Sequence, residues 1–439
     1  MDKSIRGLGI SRKNTNLQRC PKISLRMKRL IYLSFAALMV LAVSCNKDKP
    51  VPGPDTDPDP NTETETDPET KPAAGLFGSC LQKTDEDIQD KLDKLWSHYF
   101  KGDNNSKVYY DNGSDAYILD VSENGVLSQE MGYGMMICVQ TDHKTEFDKL
   151  WAFVKNRMWR KSGEWDGYFA SICNTSGNVQ NNLPCPEGEM YITTSLLLAY
   201  RRWNETGYME SAQYILKRMW DSPHTLFNPF HNVITYVPTG NEANFSSPSY
   251  DLPAFIELFA RWSETYKDKW ASAISATRNH LYRSSNKKSG LFSDLNNFDG
   301  TPHGVSYYTN AEKYMYSAML CAMNIGMDYY LFHADDTRQT EMARRIIDFF
   351  EKDGYKHARF NWDGSNPQEA YTLGQMGCNA VICYALADLD NYKDIVKKNL
   401  KLAWDAALLT GQYRSHDGLI HYLAMLHLCG SFQIWDDPE

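Results

Sequence analysis

The chain has 439 residues, of which 42% are hydrophobic and 13% aromatic, and this suffices for one large domain or two ordinary ones. The formal net charge of −9 argues against a nucleic-acid partner, because phosphate binding requires a basic surface. The cysteines and histidines show no spacing typical of zinc ligands, so we predict no metal and no cofactor. Cys173 and Cys185 flank a loop, and an exported protein would allow them to form a disulfide.

The N-terminal region has the pattern of an export signal. From Met27 the chain reads MKRLIYLSFAALMVLAVSC, a basic start followed by an apolar stretch too short for an ordinary membrane span. Residues 27–44 resemble a bacterial lipoprotein signal peptide, after which Cys45 would be lipidated and become the mature N-terminus. Ala42 stands where such signals more commonly carry Leu, so an ordinary secretion signal remains the alternative.

Three other segments follow from this interpretation of the N-terminus. Residues 1–26 precede the signal and are interpreted as an extension from a misassigned upstream start codon. Residues 45–75 are rich in Pro, Asp, Thr and Glu, a composition that predicts a disordered, extended tether. Residues 76–439 then form the folded domain. We therefore expect an exported protein whose lipid anchor holds it to the bacterial cell envelope, facing either the periplasm or the cell surface.

Helical periodicity dominates the sequence from about residue 84 onward. In TDEDIQDKLDKLWSHYF, Ile88 and Leu92 belong to one apolar stripe, and Thr84 with Asp87 has the spacing of a capping box. Eleven further helices are predicted near residues 129–141, 147–158, 188–203, 208–221, 250–265, 268–283, 310–331, 337–352, 371–387, 392–407 and 416–429. Twelve helices with alternately short and long connections predict an all-α fold, an (α/α)6 barrel with long cleft-forming loops. An irregular helical array is the alternative, although no fixed repeat period supports a solenoid.

Several sequence blocks together point to one family. The stretch LSQEMGYGMM places Glu130 before a Gly-Tyr-Gly turn, where an isolated acid would merely suit the start of a helix. With EFDKLWAFVKNRMW, SPSYDLPAFIELFARW, YSAMLCAMNIGMDYY and GLIHYLAMLHLCGSFQIW, however, it resembles glycoside hydrolase family 8 over about residues 85–436. This resemblance implies an (α/α)6 barrel that hydrolyses β-1,4-linked polysaccharides with inversion. GYFASIC, PEGEMYI and NIGMDYY are most similar to the branch acting on xylo-oligosaccharides.

The resemblance implies that Glu130 is the general acid. A general acid must carry a proton beside the leaving oxygen, and a carboxyl group in an apolar pocket keeps its proton near neutral pH. Tyr133 is expected to line such a pocket, and Gly132 and Gly134 are expected to leave room for the substrate.

The second catalytic carboxylate departs from the family pattern. The Asp of the family block Tyr-Asp-Ala-x-Arg falls on Ser317, and the Arg falls on Leu320. A serine hydroxyl has too high a pKa to act as the base by itself. Either the base has moved, or hydrolysis is lost and the protein only binds glycans. Candidates for a relocated base are Glu312, Asp251, Asp294 and Asp299.

Other residues are predicted to bind the substrate. Glu187 falls where many family members carry an Asp that binds the distorted sugar, whereas Glu189 is expected on a solvated face. Tyr250 would lie near the side of water attack, together with Ser317. Trp165, Tyr168 and Phe169 are candidates for sugar stacking, with plain packing as the alternative.

The predicted partners are a β-1,4-linked oligosaccharide or polysaccharide of the xylan type and, through the lipid anchor, a membrane. The alternatives left open are chitosan, β-glucan or cellulose as the substrate, and glycan binding without hydrolysis. We expect a monomer.

Overall fold

The computed structural model describes residues 75–436. The predicted signal peptide, the lipidation site Cys45 and the tether up to residue 74 lie outside the described residues, as do residues 1–26 and 437–439. No helix within the described residues is long and apolar enough to cross a membrane.

Thirteen α-helices and seven short strands make up residues 75–436. The helices are α1 (Gly75–Leu81), α2 (Asp85–Phe100), α3 (Ser128–Gln140), α4 (Lys144–Phe153), α5 (Pro186–Trp203), α6 (Thr206–Asp221), α7 (Pro253–Trp262), α8 (Lys267–Ser284), α9 (Leu320–Phe332), α10 (Asp336–Asp353), α11 (Leu373–Val381), α12 (Lys393–Asp405) and α13 (His416–Leu428). The strands are β1 (Tyr109–Asp111), β2 (Ala116–Ile118), β3 (Val126–Leu127), β4 (Ile172–Cys173), β5 (Val179–Asn181), β6 (His357–Arg359) and β7 (Gln368–Ala370). The strands form three small antiparallel sheets, β1-β2, β3-β4-β5 and β6-β7.

Six of the helices close a ring. In the order α3, α5, α7, α9, α11 and α13, each helix packs on the next, and α13 packs on α3. Each of the helices α2, α4, α6, α8, α10 and α12 packs on an inner helix from outside. This arrangement confirms the predicted (α/α)6 barrel of twelve helices. Helix α1 is an addition to the twelve, and it packs on α12 and α13.

Burial explains which helices form the inner ring. Every residue of α3 and of α13 is buried, as expected of a helix that is enclosed on all sides. The outer helix α10 instead buries one stripe that includes Met342, Ile346 and Phe350, at the spacing of an amphipathic helix.

Glycines let the inner helices approach each other closely. A Cβ added at Gly132 would lie 2.6 Å from Tyr191 Cβ on α5, and one at Gly134 would lie 2.6 Å from Ile118 Cγ1 on β2. The expectation that these two glycines leave room for the substrate was therefore wrong, because both face neighbouring elements of the protein.

The long connections all lie at one end of the ring. Each inner helix begins where an outer helix has ended, and the segments between them are residues 101–127, 159–185, 222–252, 285–316, 354–372 and 406–415. All seven strands fall in these segments. The stretch HNVITYVP, which alternates like a strand, forms only an isolated bridge between Phe227 and Ile234. At the other end the turns are short, such as residues 141–143 and 204–205. The substrate cleft is thus expected at the end where the inner helices begin.

One predicted helix start was wrong. A helix was predicted over residues 310–331, but α9 is preceded only by a 3-10 turn, Ser317–Met319. Asn310 has a φ of +68°, and the N–H of Tyr314 donates to Phe360 O at 3.0 Å. The backbone before residue 317 therefore pairs with the 354–372 segment instead of forming helical bonds.

The suggested disulfide does not form. No disulfide joins Cys173 to Cys185 in the structure. Cys173 lies in strand β4, where its Sγ faces Arg157 O at 4.0 Å, whereas Cys185 immediately precedes α5. The two cysteines thus belong to different structural elements.

Candidate active site

Glu130 lies in the first turn of the inner helix α3 and is 1% exposed. The chain enters this helix directly from strand β3, where Leu127 pairs with Ile172 of β4. The N–H of Ser128 donates to Ser171 O at 3.0 Å. This junction between strand and helix fixes the backbone position of Glu130.

Glu187 lies in the first turn of α5, the neighbour of α3 in the ring, and is also 1% exposed. The Tyr133 hydroxyl donates to Glu187 Oε1, and Gln129 Nε2 donates to Glu187 Oε2 at 2.8 Å. Gln129 Nε2 also reaches the Tyr133 hydroxyl at 2.9 Å. Helix α3 thus supplies both donors to Glu187 and also carries Glu130 in its first turn.

Glu189 is not on a solvated face, contrary to our expectation. It is fully buried, and its Oε1 accepts a hydrogen bond from the N–H of Phe169 at 2.9 Å. Burial raises the pKa of Glu189 well above its usual value of 4.5, although the Phe169 N–H opposes this effect. Glu189 therefore connects α5 to the 159–185 segment.

The aromatic candidates are packed against protein groups. Trp165 stacks on the His224 ring with 4.6 Å between the ring centroids. The Tyr168 side chain is fully buried, and its hydroxyl donates to His224 O at 2.6 Å. Tyr250 is 6% exposed and stacks on Tyr236, with centroids 6.1 Å apart and planes 9° apart. The structure thus gives the rings of Trp165 and Tyr168 packing contacts, and it places Tyr250 at the end of a stack of rings.

Ser317 begins the 3-10 turn before α9, across the ring from α3. Its preceding residue, Tyr316, donates a hydrogen bond to Glu369 Oε2 at 3.0 Å. Glu369 belongs to β7, and its other oxygen lies 2.7 Å from Nη1 of Arg359 on β6. Leu320 is 1% exposed, so the position of the family Arg is filled by a buried apolar side chain.

The four proposed bases occupy different surroundings. Asp251 Oδ2 lies 2.6 Å from Nδ1 of His280, which belongs to the outer helix α8. Asp294 is 2% exposed and accepts a hydrogen bond from the Tyr308 hydroxyl. Glu312 is exposed, in the loop before α9. The fourth, Asp299, accepts from Oγ1 of Thr301 within its own turn.

Another pair of titratable residues, His416 and Asp417, lies at the mouth of the ring and was missed by the sequence analysis. They open helix α13, and His416 Nδ1 lies 3.5 Å from Asp417 Oδ1. Their position in the first turn of an inner helix, like those of Glu130 and Glu187, is the signal that could have identified them. Over residues 75–436, no group of three or more His, Cys, Asp or Glu residues has a geometry that could hold a metal ion.

Residues 109–400 match the profile described as glycosyl hydrolases family 8. This match spans more than half of the chain. The chain belongs to glycosyl hydrolase family 8.

Individual relatives agree with the family assignment. The reducing end xylose-releasing exo-oligoxylanase of Halalkalibacterium halodurans is 30% identical over 366 residues, which are 80% of this chain and 92% of that protein. The structure of Rex8A from Paenibacillus barcinonensis complexed with xylose superposes with a TM-score of 0.78 and 29% identity, covering 83% of this chain and 98% of that one. A family 8 xylobiose complex from Teredinibacter turnerae gives a TM-score of 0.77 and 32% identity, covering 82% and 97%.

Membership of family 8 makes the chain a glycoside hydrolase of an inverting family. Inversion uses two carboxyl groups that are about 6.5–9.5 Å apart, so that a water molecule fits between the base and the sugar. The mouth of this ring carries carboxyl groups on α3, α5 and α13, and none of them is at position 317.

The hydrogen bond from Tyr133 to Glu187 should stabilise the fold more than a bond to a neutral acceptor. We expect Tyr133→Phe to lower the free energy of unfolding by about 1.5–3 kcal/mol, because it removes a donor from a buried carboxylate. Tyr168→Phe is the matched control, since its hydroxyl binds a backbone carbonyl, and it should cost about 0.5–1.5 kcal/mol. Urea denaturation of both variants measures the difference, and equal losses would contradict this account of Glu187.

The buried Glu189 should make stability depend on pH. In the unfolded chain its carboxyl group loses the proton near pH 4.5, whereas the folded protein holds the proton to higher pH. The stabilisation is therefore complete below pH 4.5 and is lost as the pH rises through the folded-state pKa. Glu189→Gln should reduce the fall in the free energy of unfolding with pH by up to about 1.4 kcal/mol per pH unit. Urea denaturation between pH 5 and pH 8 tests this, with the exposed Glu312→Gln as control. Parallel curves for Glu189→Gln and the wild type would refute the prediction.

Proposed function

We propose that this protein hydrolyses β-1,4 bonds of xylo-oligosaccharides or xylan with inversion, and that Glu130 is the general acid. One observation carries the proposal: Glu130 and Glu187 are both buried in the first turns of adjacent inner helices, and Tyr133 of the Glu130 helix donates a hydrogen bond to Glu187. The relatives named above, which release xylose or bind xylose and xylobiose, support the substrate class.

This arrangement suits the two tasks that the reaction sets. A buried position allows an acid to deliver its proton to the leaving oxygen without competition from bulk water. Glu187, held by two donors, is suited to accept hydrogen bonds from sugar hydroxyls next to the bond that breaks. In this proposal Glu130 therefore protonates the leaving oxygen, and Glu187 positions the sugar ring.

A second candidate function is glycan binding without turnover. The specific observation in its favour is that Ser317 and Leu320 replace the Asp and Arg of the family pattern. In that case the cleft would hold an oligosaccharide, but no base would activate water from position 317.

The test is product analysis of the purified protein on xylotriose to xylohexaose, with cellotriose and chitosan trimers alongside. We expect xylo-oligosaccharides to be cleaved, with the α-anomer formed first as judged by NMR. Glu130→Gln should lower kcat about 10²–10⁴-fold, because it removes the transferable proton. Glu264→Gln is the control, since it makes the same chemical change at an exposed glutamate in the turn between α7 and α8, at the other end of the barrel.

The possible results separate the two candidate functions. Binding measured by calorimetry, without any product, would establish glycan binding in place of hydrolysis. Turnover restricted to the cellulose or chitosan oligomers would move the substrate class while keeping the enzyme.

We also propose that Cys45 is lipidated and anchors the protein to the bacterial cell envelope. The support is the signal-like stretch of residues 27–44, which immediately precedes this cysteine. Cells fed radioactive palmitate should label the wild-type protein and not Cys45→Ala, and the variant should appear in the soluble fraction. Equal labelling of both proteins would refute the anchor at Cys45.

A further inference from the structure

Asp417 lies on the inner helix that packs beside α3, the helix that carries Glu130. It is the second residue of α13, and its neighbours in the ring are α3 and α11. Its side chain is at the end of the ring where the inner helices begin, and the residue is 6% exposed. Asp417 thus belongs to the same mouth as Glu130, although the two residues are 287 positions apart in the chain.

The carboxylate of Asp417 borders the turn that begins with Ser317. A Cβ added at Gly374 would lie 2.6 Å from Asp417 Oδ1 and 2.8 Å from Met319 Cε. The oxygen and the methyl group therefore converge on one point of α11, which only a glycine leaves open. Met319 closes the 3-10 turn on which the family pattern places the base.

Asp417 also shares its surroundings with the substrate-positioning residue of the cleft. Burial raises the pKa of the Cys378 thiol, and the charges of Asp417 and Glu187 raise it further. Cys378 lies on α11 and is fully buried inside the ring. Asp417 and Glu187 therefore both influence the pKa of Cys378, although they belong to two different inner helices.

The spacing of neighbouring helices suits an inverting pair. Packed helices have axes about 8–10 Å apart. Glu130 and Asp417 lie in the first turns of two adjacent inner helices, and an inverting mechanism needs about 6.5–9.5 Å between its two carboxyl groups.

We propose that Asp417 is the general base that replaces the missing carboxylate at position 317. This inference rests on the proposed hydrolytic function. The water oxygen bonds to the anomeric carbon while one of its protons passes to Asp417. The bond from that carbon to the leaving oxygen breaks, and the leaving oxygen takes the proton of Glu130. Exchange of protons with solvent then returns both carboxyl groups to their starting states.

Chemical rescue distinguishes a base from a residue that only supports the fold. We expect Asp417→Ala to lower kcat on xylotriose about 10²–10⁴-fold. Added sodium azide should restore turnover and yield the α-xylosyl azide, because azide has no proton to lose and needs no base. Asp417→Asn preserves the shape of the side chain and should be equally inactive in the absence of azide. Asp294→Ala is the comparison, since Asp294 is the buried carboxylate held by Tyr308.

Each result decides the assignment. Azide rescue of Asp417→Ala, with Asp294→Ala near wild-type activity, supports Asp417 as the base. Azide rescue of Asp294→Ala instead, or more than a third of the wild-type kcat in Asp417→Asn, would overturn it and leave hydrolysis intact. Loss of activity in both Asp417 variants without any azide product would also overturn it, since the residue would then be structural. A wild-type protein that turns over no oligosaccharide would refute the proposed function itself.

Discussion

The active site depends on a single constraint: six helices close a ring, and all six begin at the same end of it. The start of a helix carries unpaired N–H groups and a partial positive charge of about half an elementary charge. Six such ends at one mouth favour carboxylates there, and Glu130, Glu187 and Asp417 occupy first turns. Burial acts in the opposite direction on a carboxyl group, and for Glu189, which also lies in the first turn of α5, burial raises the pKa well above its usual value.

Much of the fold could be predicted because helical periodicity reports burial directly. The twelve barrel helices all appear, and their order of short and long connections is the one expected of nested rings. Periodicity does not report what covers a buried residue, however. Gly132 and Gly134 were assigned to the substrate and instead face α5 and β2. Glu189 was assigned to solvent because acids are usually exposed. In the structure it is buried, and the N–H of Phe169 in the neighbouring segment donates a hydrogen bond to it.

The site could be predicted only in part, for a reason that lies in ring closure. Glu130 was found because its block is local, and Tyr133 lies one turn away from it on the same helix. The candidate bases all came from the loops before Ser317, whereas in the ring Asp417 of the last helix and Met319 of the turn before α9 both approach Gly374 of α11. Sequence separation carries no information about that contact, since the closing helix is always distant in the chain. The helix predicted from residue 310 also failed for a nonlocal reason, the pairing of Tyr314 with Phe360.

Helix α1 lies at the end of the barrel away from the mouth. Gly75 lies against Leu428 and Gly430, at the carboxyl end of α13, so the described chain begins at the closed pole of the barrel. The mouth with Glu130 is at the opposite pole. The described chain thus enters the barrel at the end away from Glu130, and α1 takes no part in the mouth.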